Sequence, residues 1–157
     1  ESTAESLRVV AGFADQFGDG QIVVGPIVSD LVAAARSARA ALSGMRAAKA
    51  WPEAPRPVAA ADLLPERALA GDGHARRTLA TDIYQPLAAA GSELVDTLAA
   101  YFDTSGSIEA TARAKYVHAN TVRYRLRRVQ EITGHSPHDA RDAYALRLAL
   151  TLGRLLS

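Results

Sequence analysis

Residues 118–134, HANTVRYRLRRVQEITG, constrain the fold more than any other stretch. Val122, Leu126 and Val129 recur at the spacing of a helix that packs by one stripe, with Ile132 at its edge. Gly134 is a good C-terminal stop. Four arginines occupy positions 123–128 of the same segment. At about 100° per residue, Asn120, Arg123, Tyr124 and Arg127 gather opposite the apolar stripe. Thr121 and Arg128 flank them, and Arg125 lies nearer the boundary. One side of this helix is built for a core and the other for a polyanion.

The residues around it supply a context. Ser107 can cap a short helix, SIEATARAKYV, and a tight connection follows around Val117 and His118. The helix then starts near Ala119. A short helix, a tight turn and a second helix with guanidinium, amide, hydroxyl and phenol groups in its N-terminal half describe a helix-turn-helix. Arg pairs bidentately with guanine, Asn with adenine, and Thr or Tyr reaches phosphate. Asn120, Thr121, Arg123 and Tyr124 are expected nearest the bases. Arg125, Arg127 and Arg128 are expected to neutralise phosphate. His118 reads as a cap or packing residue rather than a ligand.

Charge distribution agrees. Residues 107–157 carry nine Lys and Arg against four Asp and Glu, a net +5, whereas residues 1–106 carry nine against thirteen, a net −4. A basic third beside an acidic remainder fits a C-terminal part that meets a polyanion or one that simply carries a solvated basic face.

Upstream, QIVVGPIV (21–28) reads as a strand broken near Gly25-Pro26, and RPVAAADLLP as a short second strand and a turn. Ser29 or Asp30 can cap a long helix on which Leu31, Ala34, Ala35, Ala38, Ala41, Leu42 and Met45 recur at helical spacing. WPEAPRP (51–57) has three prolines in seven residues and must be a loop or an extended connection. HARRTLATDIYQPLAAAG reads as one or two short helices interrupted at Pro86. SELVDTLAAYFDT opens with a serine cap and sets Leu94, Val95, Leu98, Tyr101 and Phe102 on one side. Ser136-Pro137-His138-Asp139 reads as the capped start of a last helix. Its leucines nearly surround it, so it is buried on several sides or shared with a partner. Tyr116 and Tyr144 read as core or interface.

The residues also argue against several chemistries. No cysteine is present, which removes disulfides and thiolate zinc sites. His135 and His138 have a metal-compatible spacing but straddle a helix cap and lack a third ligand. Asp15, Asp19 and Asp30 are better explained by a loop and a cap than by a metal-dependent nucleotide site. There is no Walker loop, dinucleotide fingerprint or nucleophile elbow, so neither a cofactor nor an enzymatic activity is expected. No apolar run approaches the roughly 20 residues of a membrane span, and no secretory leader opens the sequence, so a cytoplasmic location is expected. The sequence begins with Glu1 and has its only methionine at position 45, which suggests a piece of a longer protein.

HANTVRYRLRRVQEITG resembles the C-terminal DNA-binding helix-turn-helix of the PucR/CdaR family of bacterial transcriptional regulators, and the likeness extends over about residues 93–150. Its most specific part is the His-x-Asn-Thr-Val-Arg-Tyr-Arg-Leu core, residues 118–126. Two positions depart from the family pattern: Ala119 stands where many members have a basic residue, and Lys115 where most have leucine. QIVVGPIVSDLVAAARSARAAL looks like the end of the degenerate GGDEF-like domain that often precedes this helix-turn-helix. The Gly-Gly-Asp/Glu-Glu-Phe signature is absent, so a nucleotide cyclase is not implied. The expected organisation is mainly α: a partial GGDEF-like α/β region over 1–73, a helical linker over 74–91, and a helix-turn-helix DNA-binding domain over 92–157. A helix-turn-helix usually reads two half-sites, so a homodimer is expected. The controlling small-molecule effector is expected to be sensed outside this chain. Two rival readings are an enzyme with a GGDEF-like fold that makes or cleaves a cyclic dinucleotide, which the absent signature argues against, and a protein-interaction module whose basic helix docks an acidic partner.

Overall fold

In the computed structural model, which describes residues 2–156, the chain divides into two compact units, Glu1–Ala75 and Arg76–Ser157. The fold is mainly α-helical.

The first unit is small and mixed. Helix α1 (Thr3–Ala11) is capped by Ser2. Strands β1 (Val23–Val24) and β2 (Val58–Ala59) pair in parallel, joined through the long helix α2 (Leu31–Ala47). Asp30 caps α2 by accepting from Ala33 N–H at 2.7 Å. The face that α2 buries is not the apolar stripe read from the sequence. Ala40, Gly44 and Ala47 face inward, while Leu31, Leu42 and Met45 are exposed. The reason is closeness: a Cβ on Gly44 would stand 2.7 Å from a Val23 methyl, so only a small-residue face lets the helix lie on the strand. Beneath it Ala48, Val58 and Leu63 form a core flanked by Val23, Trp51 and Ala54. In the proline-rich loop, Arg56 donates to the carbonyls of Ala14, Gly18 and Gly20 and ties that loop to residues 14–20.

A buried ion pair holds the end of this unit. Helix α3 (Leu64–Leu69) carries Arg67, whose Nε and Nη2 donate to Asp72 Oδ2 at 3.1 and 2.9 Å and whose Nη1 donates to the Ala60 carbonyl at 2.8 Å. Ser43 of α2 donates to the same carboxylate oxygen, and Asp72 Oδ1 accepts from the His74 and Ala75 N–H groups, capping α4 (Gly73–Thr78).

The second unit begins inside α4. The chain does not break at Pro86. It runs through a π-helical turn (Leu79–Tyr84) into α5 (Gln85–Ala90). Proline has no N–H for the carbonyl four residues back and crowds it. The wider π turn just before absorbs the mismatch. Residues 79–90 pack on α9 (Ala140–Leu156) and α6 (Ser92–Asp103) within the second unit. Gly153 of α9 sits against the Tyr84 ring, with no room for a Cβ. Helix α6 buries Leu94, Val95, Leu98, Tyr101 and Phe102, as its spacing predicts, but its N-cap is Gly91 rather than Ser92. Helix α9 is capped by Asp139, which accepts from the Arg141 and Asp142 N–H groups at 2.9 Å, whereas Ser136 closes only the turn before it. One face of α9 is buried (Ala145, Leu146, Ala149, Leu150 and Gly153), and Leu155 and Leu156 are exposed. Among the described residues, no helix is long and apolar enough to cross a membrane.

Candidate nucleic-acid interface

Two helices and the turn between them build the site. Helix α7 (Ile108–Ala114) is capped by Ser107 Oγ, which accepts from Ala110 N–H at 3.2 Å. Thr111 is fully buried and fully used: its hydroxyl lies 2.7 Å from Thr104 Oγ1 and donates to the Ser107 carbonyl. The helix ends in a Schellman motif, with Tyr116 N–H on the Arg113 carbonyl and Val117 N–H on the Ala112 carbonyl. The left-handed position of this motif, where glycine is usual, holds Tyr116 at φ 54°. Tyr116 is 96% exposed and therefore not a core residue, and Tyr144 also stands at the surface.

His118 opens helix α8 (Ala119–Thr133): its Nδ1 accepts from Asn120 N–H at 3.1 Å. An accepting Nδ1 places the imidazole proton on Nε2. His118→Ala is expected to destabilise the second unit by about 1 kcal/mol through loss of this cap, with Ser or Asn at 118 restoring most of it. Chemical denaturation of the three variants checks this, and equal midpoints for Ala and Ser would exclude the cap as the reason.

Val122, Leu126 and Val129 of α8 are buried against α5, α6 and α7. Gly134 ends the helix at φ 74°. Asn120, Arg123, Tyr124, Arg127 and Arg128 are exposed together on the far side, and Thr121 is partly buried beside them. Arg125 is half-buried and also bonds inward. Its Nη1 donates at 3.1 Å to Oγ1 of Thr97, a fully buried threonine whose own hydroxyl donates to the Glu93 carbonyl. Arg125 thus ties α8 to α6, whereas Arg123, Arg127 and Arg128 stand exposed. Its position near the boundary of the helical stripe is the sequence signal for this, and Thr97 has none.

The exposed cations are organised by carboxylates that the sequence does not single out. Arg123 donates through Nη1 to Asn120 Oδ1 at 2.9 Å and through Nη2 to Glu109 Oε1 of α7 at 3.4 Å. Glu131 accepts from Arg128 at 3.0 Å and lies 3.8 Å from Arg127. The Arg127 guanidinium also stands 5.9 Å from the centre of the Tyr124 ring, a cation–π distance. Lys115 reaches out of the packing to Asp96 at 3.7 Å, which is how the turn accommodates a lysine.

The two histidines with metal-like spacing are engaged separately. His138 Nδ1 lies 2.8 Å from the Tyr101 hydroxyl, and His135 Nδ1 lies 3.0 Å from Asp142. Burial pushes the Asp142 carboxyl up, but bonds from His135 and the Ser136 N–H outweigh it and hold it below the usual carboxylate range. Among the described residues, no three His, Asp or Glu side chains are grouped to hold a metal ion.

A capped first helix, a Schellman turn and a second helix with one buried and one basic face define a helix-turn-helix domain. Residues 94–152 match the PucR C-terminal helix-turn-helix domain. An uncharacterized protein of Mycobacterium tuberculosis (strain H37Rv) is 55% identical over 139 residues, covering 88% of this chain and 34% of the relative. The purine catabolism regulatory protein of Bacillus subtilis (strain 168) is 45% identical over 64 residues, 41% of this chain and 12% of that protein. Among solved structures, the regulator of polyketide synthase expression from Bifidobacterium adolescentis aligns with a TM-score of 0.81 at 38% identity, covering 89% of this chain and 56% of that one. The chain thus spans about a third of the length of its mycobacterial relative.

Proposed function

We propose that this chain is the DNA-reading part of a transcriptional regulator and that α8 enters the major groove of double-stranded DNA. The observation that carries the reading is the two-sidedness of α8: a closed apolar stripe behind, and Asn120, Arg123, Tyr124, Arg127 and Arg128 exposed together in front. Asn120, Thr121, Arg123 and Tyr124 lie toward the N-terminal half, from which helix-turn-helix proteins contact base edges. Arg127 and Arg128 neutralise phosphate. Arg125, nearer the boundary, is tied to Thr97 through Nη1 and neutralises phosphate from the edge of this face. Two copies bind as a homodimer to half-sites roughly 34–36 Å apart. The effector is sensed outside this chain, and the regulator works in the cytoplasm.

Selection from a random duplex pool, followed by salt titration on the winners, tests the reading. A repeated or palindromic motif is expected, with affinity falling steeply as salt rises. Arg127→Ala is expected to weaken binding to every duplex and to flatten the salt slope by about one unit. No motif together with a flat salt response would refute the reading.

A further inference from the structure

We infer that Glu109 is a positioning residue that fixes Arg123 for base recognition; the inference rests on α8 being the DNA-facing helix. Arg123 is gripped from two elements at once. Asn120 of α8 holds Nη1 at 2.9 Å, and Glu109 of α7 holds Nη2 at 3.4 Å. The Arg123 and Glu109 side chains are 52% and 64% exposed, so their pair adds little to stability. What it sets is direction. Anchors on both terminal nitrogens define the plane of the guanidinium, and bidentate pairing with a base edge depends on that plane. An arginine already oriented loses less freedom when it binds.

Glu131 makes an internal contrast. It bridges Arg127 and Arg128 within α8 and does not touch Arg123. Its charge lowers the attraction of the whole face for phosphate without orienting a base-reading group. The two glutamates therefore have different signatures in one experiment. Removing the Glu131 charge raises affinity for all duplexes by one factor. Removing the Glu109 charge raises affinity for random duplex but frees Arg123, so affinity for the preferred duplex falls.

The test measures affinity of the full chain for its selected duplex and for a random duplex, in the wild type, Glu109→Gln, Glu109→Asp and Glu131→Gln. For Glu109→Gln the ratio of the two affinities is expected to fall about tenfold, within the range for one bidentate base contact, with selection relaxed at a single base position and the melting temperature unchanged. Glu109→Asp keeps the charge but loses reach, and the ratio is expected to fall without a gain on random duplex. Glu131→Gln is expected to leave the ratio unchanged. If Glu109→Gln raises both affinities equally, as Glu131→Gln does, Glu109 does not position Arg123 and the inference fails alone. A wild-type chain without any preferred duplex overturns the inference and the DNA reading together.

Discussion

Asp72→Ala is expected to destabilise the N-terminal unit by about 3–5 kcal/mol, because it leaves the charge of Arg67 buried without its partner. The Arg67 side chain is 4% exposed, and two of its nitrogens end on one carboxylate oxygen. The same carboxylate receives the Ser43 hydroxyl and the first N–H groups of α4, so one substitution unties α2, α3 and α4 together. A loss of this size is comparable to the whole stability of a small domain. Trp51, the one tryptophan of the chain, packs against the core of this unit and reports its unfolding by fluorescence in urea. A change below about 1 kcal/mol would show that water or another group takes over the guanidinium. The pair also sets an acid limit. Burial raises the Asp72 carboxyl, but hydrogen bonds from Ser43, Arg67 and Ala75 with the guanidinium charge outweigh it and hold it far below its ordinary 3.8. A lowered folded-state value means that the stabilisation is complete above pH 3.8 and is lost as pH falls from there through the folded value. Asp72→Asn is expected to flatten that acid limb.

How legible these features were in the sequence follows from the range of the interactions that make them. The stripe of α8 and the five apolar buried positions of α6 were readable because one helix face carries large apolar residues and its neighbours do not. The face of α2 misled for the opposite reason. An alanine-rich helix has small residues on several sides, and what selects the inward side is the closeness of β1 at Gly44, a tertiary fact. Pro86 looked like a break because a proline inside a continuous helix lacks one hydrogen bond and crowds the turn before it, and the π turn that absorbs it has no sequence mark. Within the candidate site, the exposed Asn120, Arg123, Tyr124, Arg127 and Arg128 followed from helical geometry alone. That Arg125 leaves this set follows from Thr97, which lies 28 residues away in sequence. Glu109 is likewise 14 residues from the arginine it holds. Tyr116 reads as core or interface in the sequence, as aromatic residues usually do; the backbone there takes a left-handed residue to close α7, and the ring is carried outward with it.

Leu126→Ala is expected to cost the second unit about 2–5 kcal/mol, the range for removing most of a buried leucine side chain and leaving a cavity. Leu126 is 1% exposed and is the middle of the three residues that seat α8 on its neighbours. The loss should appear in thermal melting followed by circular dichroism, and in faster amide exchange along α8. On the proposed function, DNA affinity should fall in parallel, because α8 is no longer held. Arg127→Ala, one residue further along the same helix, should do the reverse: its side chain is 70% exposed and its ion pair with Glu131 contributes little, so melting stays put while DNA affinity and its salt slope decline. The pair of variants separates the two faces of one helix by two independent measurements. Should Leu126→Ala melt with the wild type yet fail to bind DNA, the leucine would have to contact the partner directly, and α8 would be packed on its neighbours by some other face.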